Sequence, residues 1–121
     1  IGFEISGKLP ENFNMAETDL CVLLSNLISN AYEAALKSEK ERRIVSIEIR
    51  NSDEDIFIDV SNSVNGEVMF KNGLPVTDKP DRKNHGFGVE NILEVVERNG
   101  GYVEWKQLDK GRFTAEIMLN A

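Results

Sequence analysis

Apolar positions along the chain fall into two spacings, and the switch between them lays out the elements. From Asp19 to Lys37, Leu20, Leu24, Leu27, Ile28, Ala31 and Ala35 recur at helical intervals and predict an amphipathic helix with a broad apolar stripe. Asn14 with Glu17 resembles a capping box at its start, with Thr18 as a rival start signal. A charged turn, Glu39 to Arg43, follows. Val45, Ile47 and Ile49 then alternate with polar residues, as do Ile56, Ile58 and Val60, with the polar stretch Asn51 to Asp55 between them. Period-two alternation on both sides of a turn predicts an antiparallel hairpin. A second helical pattern opens at His85-Gly86-Phe87-Gly88, carries Val89, Ile92, Leu93, Val95 and Val96, and stops at Asn99-Gly100-Gly101. Gly2 to Lys8 reads as a short first strand. Tyr102 to Lys106 and Phe113 to Leu119 read as a closing hairpin around Asp109-Lys110-Gly111.

From Ser61 to Asn84 the periodicity stops. This stretch carries Gly66, Gly73, Pro75 and Pro80, with Val68-Met69-Phe70 as its apolar patch. So long a connection inside a small domain is usually a functional loop or lid. The order is strand, helix, hairpin, lid, helix, hairpin. It predicts an α+β two-layer sandwich, with a mostly antiparallel sheet and helices on one face. The domain takes in all of residues 1–121.

Composition narrows the function classes. With 121 residues, 40% hydrophobic and 29% charged, the chain has enough apolar content for one core. No apolar run is long enough to cross a bilayer, and no signal peptide pattern is visible. A chain that opens on Ile1 rather than Met is expected to be a piece of something longer. The net charge of −7 argues against nucleic acid or an anionic membrane surface as the main partner. A phosphate-bearing small ligand remains compatible, because Lys79, Arg82, Lys83 and His85 form a local basic excess. The single cysteine, Cys21, excludes an internal disulfide and is expected to be a small core hydrophobe.

Asp19, Asn26, Asn30, Glu33 and Lys37 line a polar stripe on the first helix. Asn is poor in a helix interior, because its amide competes for backbone groups. Two of them one turn apart either form an ordinary polar face or mark a place where amides are wanted. An amide oxygen is a hard ligand suited to Mg²⁺, which arrives with substrate phosphates. Gly86 and Gly88 at a helix start are either a tight turn or a phosphate site, where free N–H groups and the helix dipole favour an anion. His85, the one histidine, is either a local hydrogen-bonding junction residue or a titrating group. No Cys/His cluster suggests zinc, and no nucleophile–His–acid pattern stands out.

Asn26-Leu-Ile-Ser-Asn30-Ala resembles the N box of the gyrase/Hsp90/histidine-kinase/MutL (GHKL) ATP-binding superfamily. His85-Gly86-Phe87-Gly88-Val-Glu-Asn91-Ile resembles its second glycine box. The resemblance covers nearly the whole chain and is nearest to the catalytic domain of sensor histidine kinases. Leu74-Pro-Val-Thr77-Asp-Lys79 is similar to the lid of the subgroup associated with peptide and quorum sensing.

The resemblance implies the Bergerat (GHKL ATPase) fold with an ATP lid over about residues 63–88. It implies Asn30 as the ligand of a Mg²⁺ that bridges the nucleotide phosphates. Asn26 occupies the place where hydrolysing branches carry a glutamate that activates water. An amide has no accessible protonation change at neutral pH, so transfer to a side chain is implied over hydrolysis. Gly86 and Gly88 would hold the triphosphate, with Lys79 or Arg82 neutralising it. Glu33, His85 and Phe87 complete the implied ATP-contacting set.

In the first glycine box the family pattern is Asp-x-Gly-x-Gly, and here it reads Asn62-Ser63-Val64-Asn65-Gly66. Asn62 can still accept a hydrogen bond from adenine, Gly66 persists, and Val64 implies a differently shaped pocket. The implied function is binding of Mg·ATP and donation of its γ-phosphate to a histidine on a separate phosphoacceptor domain, in the same or a partner chain. A response regulator would act downstream. The implied location is cytoplasmic, as the C-terminal part of a membrane-bound sensor, with no membrane contact by this segment. The alternatives are a serine kinase of the anti-sigma-factor type, with the same fold, or a docking module that has lost nucleotide binding.

Overall fold

The computed structural model describes residues 1–11, 13–76 and 82–120, with the side chains of the second helix from residue 88 onward. Strand β1 (Gly2–Ser6) leads through a loop to helix α1 (Glu17–Leu36). After a short 3₁₀ turn (Lys40–Arg42) come β2 (Ile44–Asn51) and β3 (Asp55–Ser63), then a two-rung hairpin, β4 (Phe70–Lys71) and β5 (Leu74–Pro75). Helix α2 (Arg82–Arg98) and the closing pair β6 (Tyr102–Asp109) and β7 (Arg112–Asn120) complete the chain.

Five strands form the main sheet in the order β1-β2-β3-β7-β6, and β1–β2 is the parallel pair among otherwise antiparallel neighbours. The α+β sandwich expected from the pattern is therefore what forms. Alternation decides which face the helices cover. The register sets Ile47 opposite Val60, Val60 opposite Ala115 and Ala115 opposite Trp105, so one apolar row crosses four strands. These residues are buried together with Leu23, Leu27, Ala31 and Ala35 of α1 and Ile92, Val95 and Val96 of α2. Packing α1 over β2 and β3, and α2 over β6 and α1, buries one face of the sheet and leaves the other to solvent.

Several expectations are corrected. The core stripe of α1 centres on Leu23, which is fully buried, while Leu20 and Leu24 are half-buried. Leu23, Leu27, Ala31 and Ala35 each sit one turn apart, so small residues at the C-terminal end let the helix approach the sheet closely. Cys21 points away from that stripe and is exposed, contrary to the buried place expected for it. The helix begins at Glu17 behind Ala16, which makes no side-chain cap bond, so neither Asn14 nor Thr18 is the cap residue. Its first turn instead places the acidic Glu17 and Asp19 at the positive end of the helix dipole.

The expected connection from Ser61 to Asn84 is more ordered than its composition suggests. Strand β3 continues to Ser63 because Ser61, Asn62 and Ser63 keep their ladder with Thr114, Phe113 and Arg112. Asn72 (φ 54°) and Gly73 (φ 78°) then turn the β4–β5 hairpin. Both residues of a type I′ turn need positive φ, and Asn-Gly supplies them at least cost. Helix α2 starts at Arg82, three residues before the expected opening at His85. Residues 77–81, in the middle of the expected lid, lie outside the described residues. At the other end α2 stops where the glycines predict. Gly100 has φ 70°, its N–H donates to Glu97 O, and Gly101 N–H donates to Val96 O, the paired bonds of a Schellman cap.

Candidate functional site

The face of α1 that looks toward β3 does not close fully onto the sheet. A cleft of about 480 Å³ lies between Asn30, Glu33 and Lys37 on α1 and the segment from Asn62 to Val76. Its apolar surface includes Val60, Ala115, Trp105 and Phe113 from the helix-facing side of the sheet, with Leu27 and Ala31 beside them. Pockets of this size take a small organic ligand, and an apolar floor with few polar groups suits a flat ring. Phe70 of the small hairpin packs on Phe113 with ring centroids 5.9 Å apart, so the hairpin stands beside the cleft's apolar end.

At the other end, two motifs from opposite halves of the chain meet. A Cβ on Gly88 would lie 3.0 Å from Asn30 Oδ1 and 3.3 Å from its Nδ2. Glycine is what allows the start of α2 to pass this close to the Asn30 amide. Helix crossing fixes that approach. At the far ends of the two helices, Arg98 donates to Asp19 Oδ1 at 2.8 Å and Asn99 donates to Asp19 Oδ2 at 3.0 Å. These bonds hold the Asp19 carboxyl below its usual pKa, the Arg98 hydrogen bond first and the Asn99 bond second. Asp19 therefore belongs to the helix–helix junction, although it shares the polar stripe with Asn30. Asn26 spends its amide N–H on Val22 O, 2.8 Å away on its own helix, and does not line the cleft.

Asn62 faces the cleft from the C-terminal end of strand β3 and is 3% exposed. Its Nδ2 donates to Ser63 O at 3.0 Å. Behind it, Ser61 donates to the Thr114 hydroxyl at 3.0 Å, and the hydroxyls of Ser63 and Ser38 meet at 2.8 Å. Ser63 Oγ also accepts the Ile44 N–H, so the end of β3 is tied to the C-terminus of α1 and the start of β2. Val64 lines the cleft and keeps negative φ. Asn72 is the one non-glycine residue with positive φ among the described residues. A β-branched residue therefore fits at 64 without strain. Gly66 has φ 73° and its carbonyl accepts from Gln107 Nε2.

Asn30, Glu33, Asn62 and Gly88 are thus brought together, with Gly66 behind the wall of the cleft. Arg82, His85, Gly86 and Phe87 fall in the first turns of α2, before the described side chains. Lys79 lies outside the described residues. Sequence reading missed Lys37 as a cleft residue, the floor residues Trp105 and Phe113, and the side chains that hold the wall, Asn65 and Gln107. Trp105 and Phe113 were findable, because they share the inward parity of Val103 and Ala115 in the closing hairpin. Gln107 shares that parity too, and a polar residue on the inward side of a strand was its only signal.

A family model for the GHKL domain matches residues 15–120. The chain belongs to the GHKL family. The sensor histidine kinase DpiB of Escherichia coli strain K12 is 28% identical over 99 residues, which covers 76% of this chain and 18% of that kinase. The chain thus spans less than a fifth of the length of that relative. Nucleotide-free crystal forms of the catalytic domain of histidine kinase ThkA share its fold. Two of them superpose with TM-scores of 0.68 and 0.67, at 19% and 16% identity, and cover 98% of this chain and 76% and 77% of theirs. In this GHKL domain the stretch Asn26–Ala31 and the start of α2 meet at Asn30 and Gly88, and Asn62, Val64 and Asn65 line the β3 side of the cleft.

Proposed function

We propose that this GHKL domain is the ATP-binding catalytic domain of a sensor histidine kinase, and that the cleft takes Mg·ATP. One observation carries the reading: the contact between Asn30 and Gly88, which joins an amide oxygen to a glycine-opened helix start. The residues present fit the ligand. Asn30 Oδ1 is a hard oxygen donor that borders the cleft, and glycine at 88 lets the start of α2, with its backbone N–H groups, come up beside it. Among the described residues no group of His, Cys, Asp and Glu would hold a metal by itself. This suits Mg²⁺, which is bound by one or two protein oxygens together with phosphates and water. When bound, the ion would neutralise charge on the phosphates.

Asn62 would recognise the base. With Nδ2 given to Ser63 O, its Oδ1 remains to accept a hydrogen bond. An acceptor at this point selects an amino-bearing base such as adenine over an oxo-bearing one. Trp105, Phe113, Val60 and Ala115 would take the ring's apolar faces and edges. Gly86 and the N-terminal turn of α2 would meet the phosphates, and Lys79 or Arg82 would neutralise them. Asn26 supplies no base, because an amide cannot take the proton of an attacking water. The domain is therefore suited to passing the γ-phosphate to a histidine supplied by a separate helical phosphoacceptor domain, and not to hydrolysing ATP. Residues 1–121 would act as one catalytic unit within a longer cytoplasmic assembly.

Calorimetric titration with a non-hydrolysable ATP analogue, with and without Mg²⁺, tests this. Binding strengthened by Mg²⁺ is expected. No binding at millimolar nucleotide would leave a docking module as the better reading.

A further inference from the structure

Between the end of β3 and the β4–β5 hairpin the chain has no ladder of its own, yet residues 64, 65, 67, 68 and 69 all line the cleft. Backbone groups in such a segment need partners. Two amide side chains supply them. Gln107 accepts the Val68 N–H at 2.7 Å through Oε1 and donates to Gly66 O at 2.6 Å through Nε2. Asn65 accepts the Glu39 N–H at 3.1 Å through Oδ1 and donates to Lys37 O at 3.3 Å through Nδ2. Val64 N–H donates to Gly111 O at 3.0 Å. The segment is therefore fastened to β6 on one side, to the C-terminal end of α1 on the other, and to the β6–β7 turn at its start.

Each amide imitates a peptide group, pairing one donor and one acceptor with the backbone of another element. Gln107 stands at the register shift of β6, opposite Phe113, which is itself opposite Asn62. Gln107 is the last regular pair before the shift and keeps the inward parity of Val103 and Trp105, so its side chain leaves the sheet on the helix-covered face, over the loop. The bonds replace rigidity that composition does not provide. The segment carries Gly66 and no regular structure, and its side chains form the wall opposite Asn30.

We propose that Gln107 and Asn65 are positioning residues for the base-binding half of the cleft. Gln107 lies outside the cleft lining, and Asn65, which borders the cleft, has both ends of its amide committed to Glu39 N–H and Lys37 O. They hold Val64, Glu67, Val68 and Met69 at the spacing from Asn62 that a purine ring requires. The inference rests on the reading of the cleft as a nucleotide site, and it gives part of the base half of the affinity to Gln107, a residue outside every glycine box.

The test uses the 121-residue chain, Gln107→Met and Gln107→Glu, titrated with Mg·ATP analogue and separately with Mg²⁺ tripolyphosphate, which has no base. Methionine keeps the length of the side chain and loses both bonds. Glutamate keeps the acceptor for Val68 N–H and loses the donor to Gly66 O. Expected is a loss of about tenfold in nucleotide affinity for Gln107→Met, with a smaller loss for Gln107→Glu. Tripolyphosphate binding should be unchanged in both. A general loosening of the fold would weaken both ligands together, and that result overturns the positioning role. Equal nucleotide affinity in all three proteins overturns it too. If the unsubstituted chain binds tripolyphosphate and no nucleotide, or neither ligand, the nucleotide reading itself fails and takes the inference with it. Should Gln107→Met not fold, Gln107→Glu alone decides by the same comparison.

Discussion

At Asn30 a helix interior carries an amide that weakens helix propensity, and its neighbour Gly88 carries no side chain at all. Each is a local cost that the contact between them explains. Gly88→Ala makes the point testable, because its two effects have opposite sign. Alanine in place of glycine within α2 favours the helix by about 1 kcal/mol. The added Cβ, however, would press on the Asn30 amide from 3.0 Å. The variant is expected to melt no lower than the parent while losing nucleotide affinity on the order of tenfold. Calorimetry beside a thermal melt reads both. Asn30→Ala should leave the melt nearly unchanged and abolish the strengthening of ATP binding by Mg²⁺. Identical titrations with and without Mg²⁺ in the parent would remove Asn30 as a ligand. Both residues were legible in the sequence, since an amide inside a helix and a glycine at a helix start break a local preference. Gln107 breaks only strand parity, as a polar residue on the inward side, and its two bonds to the loop became visible once β6 and residues 66–68 were placed together.

The two helices are joined at one end by the Asp19–Arg98–Asn99 cluster and meet at the other through Gly88 and Asn30. Asp19 has its pKa lowered from 3.8 by these bonds, so the folded state prefers the carboxylate. The stabilisation is complete above the unfolded pKa and is lost as pH falls through the lowered folded value. Asp19→Ala should therefore reduce the urea midpoint at pH 7, and the gap to the parent should close below pH 3.8. A gap that stays constant down to pH 2 would assign the effect to packing instead. Helix periods were legible at this scale, and so was the glycine stop of α2. Helix starts were not. Ala16 in front of α1 provides no side-chain cap, and α2 begins at Arg82 rather than His85, so neither start carried a side-chain signal the sequence could show. The β4–β5 hairpin had a signal in Asn72-Gly73, but strands of two residues are too short to show alternation.

For the molecule as a whole, the sheet has an uncovered face, and its charges register across strands. Glu48, Asp59, Glu116 and Glu104 stand opposite one another in a row through β2, β3, β7 and β6. Arg50 bonds Asp59 at 3.0 Å and Lys106 bonds Glu116 at 2.9 Å, which offsets part of the repulsion. Asp59 nonetheless has its pKa raised from 3.8, by burial first and then by Glu116 and Glu48 against the opposing pull of Arg50. A raised carboxyl pKa means the fold favours the protonated form. This group therefore costs stability at neutral pH and adds stability as pH falls through its folded value, the benefit being complete below the unfolded pKa. Asp59→Asn should raise the urea midpoint at pH 7, with the advantage fading as pH approaches 3.8. A lower midpoint at pH 7 would show that the Arg50 pair outweighs the row.

Element order, the inward face of each long strand and the helix stripes are written in the chain. Those follow from spacings of two and of three to four residues, which act locally. It also held the two motifs that carry the GHKL resemblance. Only the tertiary structure decided that Asn30 and Asn26, one turn apart on the same stripe, part company, the first to the cleft and the second to its own backbone. It likewise decided that Cys21 is outside, that Leu23 leads the core of α1, and that Asn65 and Gln107 hold the wall. The physical reason is common to these cases. A side chain's periodicity states which face it occupies, whereas its partner is set by the crossing of α1 over the sheet and by the strand order β3-β7-β6, which bring distant segments within hydrogen-bond reach.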